Sequence, residues 1–215
     1  MYLEIQEKAQ AELDRVIGID RLPDFGDRED LIYLKALIIE MMRWHQVFPL
    51  GLPRKLMENG YYNGYFIPKG TTVIGNAWYV LDLGHASRGK QSDALLLSHG
   101  AVLHDPSLFT DPMEFIPERY IKNGRFNNDW VNPLDFDFGF GRRICPGKNV
   151  AMEMLYLAIA SILFMFEISP LRDATGTPIK IKPSFIGGVL AYVLSSPAIR
   201  SHTQASVKCD RTNHP

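Results

Sequence analysis

Cys145 stands in the run Phe138-Gly139-Phe140-Gly141-Arg142-Arg143-Ile144-Cys145-Pro146-Gly147, a glycine-rich loop directly before a long apolar stretch. That stretch reads as a helix, so the cysteine falls at a helix N-terminus. Unpaired backbone N–H groups and the positive end of the helix dipole favour thiolate over thiol there, and thiolate is the form that binds metal. Pro146 suits the first helical position, where no N–H is needed. Gly141 and Gly147 let the backbone pass close to a flat, bulky ligand. Arg143, two residues before the sulfur, can reach an anionic group on such a ligand. A lone cysteine is ordinarily a small buried apolar side chain. Zinc is the other metal to weigh, but its structural sites need four Cys or His ligands at short spacings, and none lie near Cys145. Cys209 sits in a polar tail with no supporting motif, and two cysteines in all make a disulfide framework implausible.

The rest of the chain must position that loop. With 215 residues, 46% hydrophobic and 22% charged, it is long enough to bury a sizeable core and need be only one domain. A formal net charge of -1 gives no bulk attraction to nucleic acid or an anionic membrane. The acidic, amphipathic N-terminus lacks the basic-then-apolar order of a signal peptide. From Tyr2 to Ile17, apolar Leu3, Ala9, Leu13 and Val16 recur near helical spacing, and Gly18 is a natural stop, which predicts a surface helix. Leu31 to Val47 predicts a second, largely buried helix ending before Pro49. Tyr61-Tyr62-Asn63-Gly64-Tyr65-Phe66-Ile67 reads as strand, Asn-Gly turn, strand, followed by a turn into Thr71 to Ile74, so a small sheet is expected.

Residues Asp105 to Asp137 read as loop and lead into the cysteine run. The apolar run Met154 to Phe166 is shorter than the roughly 20 residues that cross a bilayer, so it is expected as a buried helix. Ile168 to Leu194 reads as short strands in hairpins. From about Ser195 the chain turns polar and is expected to lose order.

The run ending in Cys145 has the form Phe-x-x-Gly-x-Arg-x-Cys-x-Gly, which resembles the haem-binding loop of cytochrome P-450 monooxygenases, where a cysteine thiolate ligates haem iron. Five specified positions at residue frequencies near ~5% match by chance below about one time in 10,000 over such a length. Glu40-Met41-Met42-Arg43 resembles the same family's Glu-x-x-Arg, and Pro117-Glu118-Arg119-Tyr120 its later Pro-Glu-Arg-Phe-like segment. The resemblance implies that Glu40, Arg43 and Arg119 form a salt-bridged core supporting the haem loop. Charges three apart on a helix are normally a solvated pair worth a few tenths of a kcal/mol. Here they interrupt the apolar Leu37-Ile38-Ile39 and Met41-Met42, which favours burial. By the same resemblance Arg54 meets a haem propionate, as Arg143 does, and Phe138 packs on the sulfur side of the haem. His104-Asp105-Pro106 is matched as a turn. Basic Lys122, Arg125, Arg142 and Lys148 could face an acidic electron donor.

The similarity runs from about Tyr2 to Leu190 and is nearest in texture to fungal membrane-bound members. It implies a mainly α fold with a small β-sheet, the C-terminal part of the cytochrome P-450 fold and incomplete. Residues 1–194 are then the C-terminal portion of that domain and 195–215 a disordered tail. The family's N-terminal anchor, long helical region and central acid-threonine helix have no counterpart here. Between Trp78 and His104 the chain also carries extra residues. Removing Tyr79 to Gly100, or equally Asp82 to Leu103, restores the family spacing, so 79–100 or 82–103 is expected to be an insertion, with Asp82 to Gly100 an irregular loop outside the haem core.

The function implied is insertion of one oxygen atom of O2 into a small organic substrate. Haem b, iron protoporphyrin IX, is the cofactor, an NADPH-dependent reductase is the electron donor, and no nucleic acid is a partner. The endoplasmic reticulum membrane is the location implied for the full-length protein. The alternative is a non-catalytic haem-binding remnant lacking the distal half.

Overall fold

The protein's structure, a computed structural model, describes residues 2–18, 20–45, 52–76, 95–98, 103–139, 141–168, 175–177, 185–186 and 192–193. Helix α1 (Leu3–Ile17) buries Ile5, Ala9, Leu13 and Ile17. Residues four apart share one helix face, and that stripe packs on the two other long helices. Leu3 is exposed and Val16 half-buried, so the buried stripe is offset from the one expected. Gly18 ends the helix at φ 76, and its N–H donates to the Asp14 carbonyl at 3.1 Å.

A 3-10 turn, Phe25–Glu29, follows, capped by the Asp24 side chain accepting from the Gly26 N–H and stapled by Asp27 accepting from the Asp24 N–H. Helix α2 (Ile32–Trp44) starts beyond it and is buried almost all round, at Tyr33, Leu34, Ala36, Leu37, Ile38, Ile39, Glu40 and Arg43. Its first N–H groups have no intrahelical acceptor, and a neighbouring helix supplies one: the Glu12 carboxylate accepts from Tyr33 and Leu34, each at 2.9 Å. The helix stops at Trp44, three residues before the expected Val47, because His45 is already extended at φ -145. Residues 46–50 lie outside the described residues.

The expected hairpin is present: β2 (Gly60–Tyr62) pairs antiparallel with β3 (Tyr65–Ile67) through Asn63 and Gly64, both at positive φ. It forms its own sheet. Strand β4 (Thr72–Asn76) joins instead β1 (Arg54–Lys55), antiparallel, and β5 (Leu95–Ser98), parallel. The expected irregular loop therefore fails at residues 95–98, whose backbone pairs in register from Val73↔Leu95 to Asn76↔Ser98. A strand edge with free N–H and C=O groups is closed by that pairing. The remainder of 79–100 lies outside the described residues.

Residues 105–137 contain more regular structure than expected. After a turn in which Asp105 accepts from the Ser107 and Phe109 N–H groups comes the 3-10 turn Pro117–Tyr120, then hairpin β6 (Ile121–Lys122) and β7 (Arg125–Phe126), then α3 (Leu134–Asp137). The hairpin turns on Asn123 and Gly124 at φ 52 and 69. It is a second Asn-Gly signal, which the reading of this stretch as loop passed over.

Helix α4 (Lys148–Met165) buries Met152, Tyr156, Ala160 and Leu163 against α1 and α2. Gln10 of α1 donates to the Leu163 and Phe166 carbonyls, each at 3.0 Å, and Glu153 pairs with Arg28. The expectation of a buried helix holds for one face alone, since Val150, Met154 and Ile162 are 66%, 60% and 46% exposed. By length and composition α4 could cross a membrane; its packing on α1 and α2 makes it a core helix. Strands β8 (Phe185–Ile186) and β9 (Tyr192–Val193) form the expected terminal hairpin. The expected disordered tail, 195–215, lies outside the described residues.

Candidate functional site

The cysteine loop folds back on itself. The Cys145 N–H donates to the Phe138 carbonyl at 2.8 Å and the Ile144 N–H to the Gly141 carbonyl at 3.1 Å. Two glycines allow that path, since Gly139 and Gly141 have φ of 78 and 58, where side chains are strained. The Lys148 N–H then donates to the Cys145 carbonyl at 3.2 Å, closing a turn whose third residue, Gly147, has φ -84 and ψ 3, type I geometry. Pro146 is therefore the second residue of that turn, the position its fixed φ prefers, and not the first helical residue as expected; α4 begins at Lys148. At Gly147 neither φ nor space within the described residues demands glycine, since a Cβ there would make an ordinary contact, 3.7 Å from the Cys145 sulfur.

Cys145 is exposed, as are Arg142, Arg143, Ile144, Pro146 and Val150 around it. Phe138 is half-buried against the core, with the Lys148 ammonium 6.0 Å from its ring centroid. Lys148 also donates to the Leu134 carbonyl at 2.9 Å, so it is tied inward and is no free surface charge for a donor protein. Lys122 pairs with Asp129 at 3.7 Å. Arg54, on β1, reaches the loop: its Nη2 donates to the Arg143 carbonyl at 3.2 Å. The structure thus gathers Cys145, Arg143, Phe138, Gly141, Gly147 and Arg54 in one place.

Glu40, Arg43 and Arg119 are gathered in a second place and are fully or nearly fully buried. Arg43 Nε and Nη2 donate to the two Glu40 carboxylate oxygens at 2.7 and 2.8 Å, and Arg119 Nε donates to Glu40 at 3.2 Å. Glu40 also accepts from the Ile116 N–H at 2.8 Å. The remaining guanidinium N–H groups go to backbone carbonyls, from Arg43 to Leu103, Pro112 and Glu114 and from Arg119 to Thr110, Asp111 and Glu114. The Phe109 ring lies 5.3 and 5.9 Å from the two guanidinium carbons. A buried charge is tolerable only when paired and hydrogen-bonded in this manner. The bonds hold 103–116 onto α2 and do not run to the cysteine loop, so any support for that loop is indirect.

Around the cluster the environment shifts two other groups. Burial, with Glu40 nearby, pushes the Tyr120 hydroxyl up from its ordinary value, and the Tyr120 oxygen has no hydrogen-bond partner among the described residues. Burial and the adjacent His104 push His45 down. Gly139 is the loop residue that the sequence reading missed; its place in a Gly-x-Gly run was the available signal. The backbone acceptors of Arg43 have no local signature, because they are set by chain packing from residues 103–114.

The loop offers an exposed soft donor, with Ile144 beside it and Val150 and Met154 on the following helix all exposed, and with exposed Arg142 and Arg143 just before it. That donor set fits a flat apolar macrocycle needing one axial thiolate and cations for its anionic edge.

Comparison with known proteins agrees with this. The sequence pattern of the family described as Cytochrome P450 matches residues 1–82 and 90–193. Cytochrome P450 monooxygenase COX2 of Coprinopsis cinerea is 44% identical over 186 residues, covering 86% of this chain and 31% of that protein. COX1 of the same organism is 40% identical over 84% of this chain and 31% of its own length, and claR of Ampulloclitocybe clavipes is 38% identical over 89% and 32%. The chain thus spans about a third of the length of these relatives. Its family match, covering both the cysteine loop and the buried Glu40 cluster, establishes that this chain belongs to the cytochrome P450 family.

Proposed function

We propose that the chain is the haem-carrying C-terminal portion of a monooxygenase that inserts one atom of O2 into a small organic substrate. The observation that carries this is the exposed Cys145 sulfur, presented by a loop closed through the Cys145 N–H and Phe138 carbonyl and bordered by exposed apolar side chains. Cys145 would hold haem b through its sulfur, and the bound group would supply the redox chemistry that activates dioxygen. Arg143 and Arg54 pair with its anionic edge. Phe138 packs beside the sulfur, and Gly141 and Gly147 keep the backbone clear of the macrocycle. Glu40, Arg43 and Arg119 hold 103–116 against α2. An NADPH-dependent reductase supplies electrons, and the full-length protein works at the endoplasmic reticulum membrane. Residues 1–194 form the C-terminal portion of one domain, with 195–215 a tail. Residues 79–100, or equally 82–103, are an insertion; the family match skips 83–89 within it, and either cut leaves a leucine, Leu103 or Leu81, before His104.

A second reading is a haem-binding remnant that does not turn over. What favours it is the stripe of Val150, Met154, Ala158 and Ile162, four apart and exposed along α4. The reduced, carbon-monoxide-bound protein decides the ligand: thiolate ligation gives a red-shifted Soret band, and Cys145→Ser is expected to lose it because a serine hydroxyl is a poor soft donor. A red-shifted band that survives Cys145→Ser sinks both readings. Substrate hydroxylation by residues 1–215, coupled to electron consumption, would eliminate the remnant.

A further inference from the structure

We infer that Arg54 is the positioning residue of the cysteine loop, and that glycine at 139, which its positive φ already favours, also leaves room for the Arg54 guanidinium. The spectroscopic half of this inference rests on the haem-thiolate reading above, whereas the half concerning loop geometry does not. The bonds from Cys145 to Phe138 and from Ile144 to Gly141 tie the loop to itself. Among the described residues neither bond runs from the exposed limb, Gly141 to Pro146, to the small sheet that carries Arg54. Arg54, 89 residues before Arg143, supplies an external tie by donating Nη2 to the Arg143 carbonyl at 3.2 Å. Its own base is held by the β1–β4 pairing, Arg54↔Val73 and Lys55↔Thr72. Arg143 stands two residues before the sulfur, so fixing its carbonyl fixes the direction from which Ile144 and Cys145 continue.

Gly139 accounts for the fit. It adopts φ 78, and a Cβ there would lie 3.0 Å from Arg54 Nη2 and 3.7 Å from the Arg143 oxygen. The guanidinium occupies the space a side chain would need, so a methyl at 139 would push it a few tenths of an ångström, lengthening its bond to the carbonyl, in addition to straining the backbone at φ 78. Arginine suits this task because its fork has several donors on a planar group, and one bond to the loop leaves others for an anionic edge. A guanidinium that served only to pair with an anion would need neither the carbonyl bond nor the glycine.

Amide hydrogen exchange on the haem-free full chain tests this directly. Arg54→Ala should raise exchange at Ile144 and Cys145 roughly tenfold, the effect of losing one hydrogen bond from a charged donor. Amides of α2 should not change. Arg54→Lys, with a single reaching ammonium, should recover part of the protection. Gly139→Ala should raise the same two amides by at least as much, and adding Arg54→Ala to it should change little more, since both remove one contact.

With haem added, Arg54→Ala should lower the share of carbon-monoxide complex showing the red-shifted Soret band at equal haem content. Unchanged exchange at Ile144 and Cys145 in Arg54→Ala overturns the inference, and so does an equal rise in every element. Weaker haem retention with unchanged exchange would reduce Arg54 to an anion partner and overturn it as well. If wild type itself gives no red-shifted band, the haem-thiolate reading falls while the exchange result still stands or falls alone.

Discussion

The two motif clusters of this chain solve opposite problems with arginine. At Glu40 the charges are sealed inside, and both guanidinium groups also donate to backbone carbonyls between Leu103 and Glu114. At Cys145 the loop stays open, with Arg142, Arg143 and the sulfur all exposed and Arg54 tying it to a distant strand. In the sealed cluster the arginines organise chain that has little regular structure of its own. In the open loop they leave a donor accessible. The difference predicts where mutation should unfold the protein and where it should change only what the protein binds.

The largest effect on stability is expected at the sealed cluster. Glu40→Ala leaves Arg43 and Arg119 as uncompensated buried charges, a loss of roughly 3–5 kcal/mol, whereas Glu7→Ala on the exposed face of α1 should fall within about 0.5 kcal/mol. Urea denaturation of the two variants makes the comparison, and matching midpoints would mean the cluster is solvated.

A smaller cost, about 1 kcal/mol, is expected for Gly141→Ala. No atom lies near the added methyl, so the left-handed backbone at φ 58 is the whole penalty. A cost near that of Glu40→Ala would show the loop to be as tightly packed as the cluster.

Acid should weaken the sealed region further through His45. Its folded value lies below the ordinary 6.5 because burial, then the adjacent His104, disfavour the charged form. The unfolded chain therefore binds the proton more readily, so stability is unaffected above about 6.5 and falls as the pH drops from there toward the folded value. The denaturation midpoint measured from pH 8 to pH 5 should show that decline, and His45→Gln should flatten it; an identical slope in the variant would assign the decline to other groups.

Excision of 79–100 is expected to change protease resistance little, since loop length alone alters closure entropy by roughly 0.6 kcal/mol per doubling. The excision does remove β5, so a marked loss of resistance would show that closing the β4 edge is required. Smallest of all should be the stability effect of Cys145→Ser, within about 0.5 kcal/mol for an exposed side chain, even as the ligation signature disappears. A thermal midpoint shift of several degrees would mean that the sulfur packs.

Much of this was legible because it is local. Gly18 as a stop, the Asn63-Gly64 hairpin and the helix after Cys145 follow from backbone preferences within a few residues. The second Asn-Gly hairpin, at Asn123-Gly124, was equally local and was missed because aromatics and prolines dominate the surrounding stretch. Cys145, Arg143 and Glu40 could be singled out because residue type and short spacing carry the family's pattern.

By itself, then, the sequence determined which residues carry the family's pattern and roughly where helices lie, to within a few residues at their ends, since capping and turn requirements act over a few bonds. Tertiary structure alone decided that Glu12 of one helix caps the next, that Arg43 is satisfied by carbonyls 60 to 71 residues away, and that β5 closes an edge within an expected loop. It also decided that Arg54 meets Gly139 and Arg143. A buried donor or a strand edge accepts whatever correctly placed acceptor the packed chain brings, and backbone carbonyls, identical at every residue, leave no trace of that choice in the order of side chains.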